Sequence, residues 1–179
     1  MSKKVLVISS SLRPDSNSDA LAAEFVRGAA DAGHTVEHIS LKEKTIAFCR
    51  GCLACAKLGH CVIDDDAVEI EQKVLNADVV VFSTPIYYYT VSGQLKTLLD
   101  RLNPLYPKDC RFSSVYLLCT GDEDGDYVYE KAAADIRGWV CCFKQAEFSG
   151  ALFCGGLYDP GAISGHETLK DAYQLGLNC

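Results

Sequence analysis

The chain of 179 residues is 49% hydrophobic and 23% charged, the balance of one folded domain with a full apolar core. Seventeen Lys and Arg residues against 24 Asp and Glu residues leave a formal net charge of −7, and no basic cluster is present to contact nucleic-acid phosphates. An acidic chain is also not drawn to anionic membranes. We therefore expect a single domain over residues 1–179 that binds neither nucleic acid nor membrane.

The expected redox state of the ten cysteines depends on the cellular compartment of the protein. The first apolar run, at residues 5–8, is too short for a signal-peptide core, and no run is long enough to cross a bilayer. We therefore expect a cytoplasmic protein. Thiols stay reduced in the cytoplasm, so a disulfide scaffold is a poor explanation for these cysteines.

Strand-like and helix-like segments alternate along the chain, and the strand-like ones are short apolar runs typical of buried parallel strands. The predicted strands cover residues 5–9, 36–41, 78–82, 115–119 and 148–154. The predicted helices cover residues 19–32, 66–75, 92–102, 126–139 and 166–175. Helix 92–102 has the clearest amphipathic pattern, because its leucines recur at i, i+3, i+4 and i+7. Five strands that alternate with helices predict an open parallel α/β sheet.

The loop after the first strand, SSSLRPDSNSD at residues 9–19, is rich in hydroxyl groups and leads into a helix. Hydroxyls, backbone N–H groups and a helix N-terminus can bind a phosphate without a lysine, although a solvated turn with an N-cap serine has the same composition. Neither GxGxxG nor GxxxxGKS/T follows the strand, which disfavours a dinucleotide site and a nucleotide triphosphatase. A monophosphate is the ligand that remains.

Three stretches of the chain resemble the NADPH-dependent FMN reductases and the related multimeric flavodoxin-like proteins. SSSLRPDSNS is similar to their phosphate loop, GSxRxxSNT, although Ser9 stands where glycine is usual. ADVVVFSTPIYYYTVSGQLKTLLDR is similar to their second signature, and FCGGLYDPGAIS resembles the family's ending. The resemblance implies a flavodoxin-like fold, an α/β three-layer sandwich with a five-stranded parallel sheet.

The same resemblance implies an FMN site made of three loops. The residues expected around the phosphate are Ser9, Ser11, Arg13, Ser16, Asn17 and Ser18. Those expected along the isoalloxazine ring are Thr84, Pro85, Ile86, Tyr87 and Tyr88, with Thr120 and Gly121 in a third loop that continues to Asp122. A proline and tyrosines at the end of a strand also offer a flat, rigid surface to a planar ring, although at least one tyrosine is expected to be half-buried packing.

Four cysteines crowd into CRGCLACAKLGHC at residues 49–61. Their spacing, C-x2-C-x2-C-x5-C, is closer to the compact ligand run of a [4Fe-4S] cluster than to the two separated pairs typical of zinc. The stretch CRGCLACAKLGHCVIDDD also resembles the iron–sulfur flavoproteins, while similar patterns occur in plain flavin reductases. A metal-free thiol loop, a zinc site and a cluster therefore stay open; the ligands would be Cys49, Cys52, Cys55 and Cys61.

No nucleophile–base triad or pair of carboxylates is visible, so we name no catalytic side chain and expect the redox chemistry to be the flavin's own. The resemblance implies an NAD(P)H-dependent FMN oxidoreductase that reduces flavin, a quinone or another small acceptor. The alternative is an iron–sulfur flavoprotein that carries electrons from a ferredoxin; a third is a flavin-free scaffold or zinc module. We also expect a homodimer or tetramer with flavin sites near subunit contacts, the helix after TPIYYY being the expected interface element.

Overall fold

The computed structural model describes all 179 residues, and its strands and helices alternate as expected. The strands are β1 (Lys4–Ser9), β2 (Thr35–Ser40), β3 (Val79–Tyr87), β4 (Thr90–Val91), β5 (Ser114–Thr120) and β6 (Glu147–Cys154). The helices are α1 (Asn17–Asp31), α2 (Ala54–Leu58), α3 (Asp66–Asn76), α4 (Gly93–Arg101), α5 (Asp126–Val140) and α6 (Thr168–Leu177). All the predicted strands and helices are present. The short elements α2 and β4 are additional, and β3 extends beyond its predicted end to Tyr87.

The sheet has five parallel strands in the order β2-β1-β3-β5-β6, and β4 pairs antiparallel with the end of β3. The chain builds outwards from β1 to β2 on one side and then continues with β3 on the other side. Strand order therefore reverses between β1 and β3, which is where ligands bind in sheets of this kind. The flavodoxin-like three-layer sandwich with a five-stranded parallel sheet is confirmed.

Helices cover both faces of the sheet, and this explains the continuous apolar runs in the strands. In β1, Leu6 and Ile8 belong to a core cluster of 26 residues shared with α3, α4 and α5. Val5 and Val7 belong to a second cluster of 14 residues shared with α1 and α6. None of the helices is both long enough and apolar enough to cross a lipid bilayer.

Helices α1 and α6 meet backbone to backbone through two glycines. A β-carbon at Gly28 would lie 2.0 Å from the carbonyl oxygen of Tyr173, and one at Gly176 would lie 2.1 Å from the carbonyl oxygen of Phe25. Distances this short leave no room for a side chain at either position. The contact holds the last helix against α1, whose N-terminus follows the serine-rich loop.

Candidate functional site

A polar cleft of about 180 Å³ opens at the carboxyl ends of β1, β3 and β5, where strand order reverses. Most of the residues expected to bind FMN line it, namely Ser11, Arg13, Ser16, Asn17, Pro85, Ile86, Tyr87, Thr120 and Gly121. The expected residues that do not line it are Ser9, Ser18, Thr84 and Tyr88. Three loops that are distant in sequence therefore meet at one opening.

The serine loop is organised around the N-terminus of α1. Ser16 is the N-cap residue, and its hydroxyl accepts a hydrogen bond from the backbone N–H of Asp19 (3.4 Å). The hydroxyls of Ser16 and Ser18 are 3.1 Å apart, and the Ser11 hydroxyl accepts from the backbone N–H of Arg13 (3.3 Å). Hydroxyl groups gathered at the positive end of a helix dipole provide hydrogen bonds and charge that suit an anion.

Ser9 lies behind this loop instead of in the cleft. Its fully buried hydroxyl is 2.6 Å from Nε2 of His38 on the neighbouring strand β2. The carboxyl group of Asp19 is also here, and burial raises its pKa, against the opposing effects of the Ser9 hydroxyl and of His38. Because Oδ1 of Asp19 is buried without a hydrogen-bond partner, this carboxylate is poorly accommodated in its charged form.

The segment between β6 and α6 forms a wall of the cleft that sequence reasoning did not assign. It lines the opening with Leu157, Tyr158 and Pro160, together with the third predicted loop, which also contributes Asp122. Arg13 reaches this wall through a hydrogen bond from its Nη1 to the carbonyl oxygen of Tyr158 (3.1 Å). The resemblance of FCGGLYDPGAIS to the family's ending was the signal that could have identified these residues.

The end of β3 has one buried and one exposed part. Thr84 is fully buried, and its hydroxyl accepts a hydrogen bond from the backbone N–H of Ser92 (3.0 Å), which places the start of α4. Tyr87 is 46% exposed and Tyr88 is 96% exposed. Tyr88 and Tyr89 have left-handed φ angles of 51° and 66°, so the turn to β4 leaves Tyr88 in solvent beside the cleft. This side of the cleft is open.

Glu123 connects the turn after β3 to the loop after β5. Its two carboxylate oxygens accept hydrogen bonds from the phenol groups of Tyr89 and Tyr127, each 2.8 Å long. These bonds lower the pKa of Glu123 and raise the pKa of both tyrosines. A single carboxylate therefore holds together two of the loops that border the cleft.

A second cavity, of about 490 Å³, is lined by all four cysteines of the segment at residues 49–61 and also by Cys142. Every cysteine of the chain is a free thiol. No three His, Cys, Asp or Glu side chains are close enough together to bind a single metal ion. The expected ligands thus share one cavity but do not converge on one point.

The wall of the cysteine cavity contains Arg101, whose side chain is completely buried. Its guanidinium forms two hydrogen bonds with the carboxylate of Asp65, Nη1 to Oδ2 (2.6 Å) and Nη2 to Oδ1 (2.9 Å). Burial alone would lower the pKa of Arg101, but Asp65 and then Cys61 outweigh it and raise the pKa above its ordinary value. Burial likewise opposes the charge of Asp65, yet Arg101 and two backbone N–H groups keep its pKa low. The pair is therefore ionised.

The comparison with known proteins agrees with this architecture. The model of the NADPH-dependent FMN reductase family matches residues 3–129. An iron–sulfur flavoprotein of Methanocaldococcus jannaschii is 42% identical over 102 residues, 57% of this chain and 53% of the relative, so the match spans about half of that protein. An iron–sulfur flavoprotein of Archaeoglobus fulgidus is 33% identical over 177 residues, 97% of this chain and 77% of the relative.

Among solved structures, the NAD(P)H:quinone oxidoreductase from Methanothermobacter marburgensis superposes with a TM-score of 0.76. The match covers 99% of this chain and 97% of that one at 19% identity, which shows a shared fold. The family match extends over more than half of the chain and includes all three predicted loops that line the cleft, whereas the wall segment after β6 lies outside it. The chain has a flavodoxin-like fold and belongs to the NADPH-dependent FMN reductase family, an FMN-binding family of oxidoreductases.

Proposed function

We propose that the protein accepts hydride from NAD(P)H and reduces free flavin, a quinone or another small acceptor through bound FMN. The observation that supports this is the cleft where strand order reverses, which has hydroxyls and a helix N-terminus at one end and tyrosines at the other. A monophosphate and a planar ring are the two parts of FMN that these ends would bind. No glycine-rich dinucleotide motif accompanies the cleft.

The phosphate would be held by Ser11, Arg13 and Ser16 together with the first backbone N–H groups of α1. Asn17 would support this set from behind, because its amide is bonded to the segment after β6. Ser9 and Ser18 would have supporting roles too, since Ser9 pairs with His38 and Ser18 with Ser16. These assignments give the loop a two-layered order, with ligand contacts in front and positioning contacts behind.

The ring would lie against Pro85, Ile86 and Tyr87 on one side and against Thr120–Gly121 on the other. Bound FMN would supply the redox chemistry, taking up a hydride and releasing the electrons to the acceptor. The chain would bind and orient the ring while leaving its outer side, near Tyr88, open to solvent. An open ring can be reached first by a nicotinamide and then by an acceptor, so we name no catalytic side chain.

Anaerobic reduction tests this function directly. FMN-loaded protein is mixed with NADPH or NADH without oxygen, and the loss of the flavin's visible absorption is followed by stopped flow. We expect rapid bleaching by at least one nicotinamide, followed by recovery when a quinone is added. Protein that binds FMN but is reduced by neither nicotinamide would contradict the proposal.

A second candidate function is electron transfer from a ferredoxin through a [4Fe-4S] cluster held by Cys49, Cys52, Cys55 and Cys61. The observation that favours it is that these thiols line one cavity together with the buried guanidinium of Arg101, whose Nε has no hydrogen-bond partner. A cluster with four thiolate ligands is anionic, and each thiolate binds a different iron. The donor set and the charge of the cavity wall therefore fit a cluster, although the thiols do not converge on one point.

Iron and flavin assays on protein purified without oxygen test the second candidate. We expect stoichiometric cluster iron in the wild type and its loss in Cys52→Ser, while FMN remains bound in the cleft. Reduction by ferredoxin but not by NAD(P)H would select the carrier function over the reductase function. A colourless protein that takes up neither iron nor FMN would contradict both functions and favour a flavin-free scaffold or zinc module.

We further propose that the protein works as a homodimer or tetramer with its flavin sites near subunit contacts. Support comes from Tyr88, which is 96% exposed beside an open cleft that a partner subunit could cover. A flavin-loaded monomer in light scattering at micromolar concentration would contradict this. The cytoplasmic location stays a prediction.

A further inference from the structure

We infer that Arg101 is the positioning residue of the cysteine cavity: one buried guanidinium joins the two ends of the cysteine segment and presents a free N–H and a positive charge to an anionic occupant. The identity of that occupant as an iron–sulfur cluster rests on the second candidate function above. The joining of the segment's ends by Arg101 does not depend on that candidate function.

Arg101 closes the segment at both ends. Its Nη1 donates to the carbonyl oxygen of Ala47 (2.9 Å), before the first cysteine, and its Nη2 donates to that of Ile63 (3.0 Å), after the last. Asp65, the partner of Arg101, adds a bond by accepting from the backbone N–H of Ala47 (2.9 Å). Two paired side chains therefore tie residues 47 and 63 to the same point.

The segment has little else to hold it in place. None of residues 47–63 is buried, and α2 within it is only five residues long with no buried side chain. Phe48 and Leu53 are 79% and 67% exposed. A segment that buries no apolar side chain gains little order from packing, so its conformation depends strongly on the contacts at its ends.

The same side chain also gives the cavity its charge preference. Arg101 lines the cavity with its side chain fully buried, and its Nε–H lacks an acceptor within the protein. Buried donors are rarely left unpaired, so this one points to an acceptor supplied by a ligand. Thiolates and cluster sulfurs are negatively charged acceptors, and Cys61 is the cysteine adjacent to the guanidinium.

A positive charge and a hydrogen bond next to a cluster favour its reduced, more negative state. Loss of the Arg101 guanidinium should therefore make the reduction potential of any remaining cluster more negative. Arg101→Lys keeps the charge but loses the planar fork that holds Ala47, Ile63 and Asp65 together. This variant should keep the potential closer to that of the wild type while it retains less iron, which separates the effect of charge from the effect of loop closure.

The test compares the wild type, Arg101→Met and Arg101→Lys with Arg111→Met as the matched control. Arg111 also pairs with an aspartate, Asp78, but its side chain is half exposed and does not line the cysteine cavity. The full-length chains are reconstituted anaerobically with FMN, ferrous iron and sulfide. Cluster iron and reduction potential are measured on the loaded proteins, and the rate of iodoacetamide labelling of Cys55 and Cys61, the two partly buried thiols of the segment, is measured on the iron-free proteins.

We expect Arg101→Met to lose most of its cluster iron and its iron-free thiols to be labelled at least several-fold faster, while Arg111→Met resembles the wild type. Equal iron, equal potential and equal labelling in Arg101→Met and Arg111→Met would overturn the inference. Retained FMN binding shows that a variant has folded and is independent of the cysteine cavity, because the cleft and the cavity share no lining residue. If unpaired Asp65 prevents folding, the double variant Arg101→Met with Asp65→Asn replaces the single one with the same expectations.

The two proposals fail in different ways. A wild type that takes up no iron would contradict the cluster, yet the labelling comparison on the iron-free chains would still decide whether Arg101 closes the segment. Conversely, the wild type could hold a full cluster while Arg101→Met shows unchanged labelling and an unchanged reduction potential. That result would support the cluster and overturn the role of Arg101.

Discussion

The side-chain amide of Asn17 donates to the carbonyl oxygen of Asp159 (2.9 Å) and accepts from the backbone N–H of Ile163 (3.2 Å). Both halves of the amide are thus bonded to the segment after β6, 142 or more residues further along the chain. The cleft wall that includes Tyr158 and Pro160 therefore depends on the first turn of α1 for its position.

Asn17→Ala should detach this wall. Two hydrogen bonds to backbone groups are lost, so we expect the free energy of unfolding to fall by about 2 kcal/mol and FMN to bind about tenfold more weakly. Urea unfolding of the FMN-free protein and fluorescence titration with FMN measure the two effects. Asn17→Asp keeps the acceptor and loses the donor, so its free energy of unfolding should lie between those of the wild type and Asn17→Ala. Unchanged FMN affinity in Asn17→Ala would show that the wall does not support the cofactor.

Ser16→Ala together with Ser18→Ala should weaken FMN binding by a few kcal/mol. The hydrogen bond from Ser16 to the charged phosphate is worth about 1.5–3 kcal/mol, and the loss of its supporting partner Ser18 and of the N-cap removes further stabilising contacts. Ser40→Ala is the control, because Ser40 caps a turn after β2 by accepting from the backbone N–H of Lys42 (3.3 Å) and lies outside the cleft. Chromatography of the released cofactor should identify FMN; FAD as the main species would contradict the phosphate site.

The contacts of Glu123 should depend on pH at both extremes. The pKa of this carboxyl is lowered by its hydrogen bonds to Tyr89 and Tyr127, so its contribution to stability is present above the ordinary glutamate pKa and is lost as the pH falls through the lowered one. The pKa of each tyrosine is raised by Glu123, so its contribution is present below the ordinary tyrosine pKa and is lost as the pH rises through the raised one.

Glu123→Ala should therefore allow two phenols to ionise at lower pH than in the wild type. Spectrophotometric titration of phenolate absorption measures this, and Tyr89→Phe with Tyr127→Phe identifies the two groups. Coincident titration curves for the wild type and Glu123→Ala would show that the carboxylate does not hold the tyrosines in solution.

Asp19→Asn should stabilise the protein at neutral pH. Burial raises the pKa of Asp19 in the folded state, so ionisation of this group opposes folding. The difference in the free energy of unfolding between Asp19→Asn and the wild type therefore grows as the pH rises from about 3.8 through the raised pKa, and then stays constant. We expect a gain of about 1 kcal/mol, at the low end for a buried unpaired group because Asp19 is partly exposed. Unfolding curves over the acid range check this; a gain that is the same at pH 3 and pH 7 would contradict the assignment.

The strands, the helices and their order could be predicted because burial on both faces and amphipathic periodicity leave clear patterns in sequence. The elements that were missed are α2 and β4, which are five and two residues long and too short to show any period. The predicted end of β3 at residue 82 coincides with the end of the apolar run, whereas the strand continues to Pro85 beside β5 and to Tyr87 by pairing with β4.

The candidate site was predictable as far as its motifs reach. Motif residues Ser11, Arg13 and Tyr87 line one cleft. By contrast, the direction of a side chain within a motif depends on its neighbours in space, which is why Ser9 turned out to face His38. The position of Tyr158 on Arg13 and the bonds of Arg101 to both ends of the cysteine segment are tertiary contacts without any local pattern.

The meeting of Gly28 and Gly176 makes these two positions interdependent in evolution. A side chain at either position must push α1 and α6 apart, because each glycine lies against the backbone of the other helix at the same contact. The first substitution would cost the full separation of α1 and α6, whereas a second would enter a gap that already exists and cost much less. Their effects should thus be strongly sub-additive, and a lineage that had lost one glycine would feel little selection to keep the other.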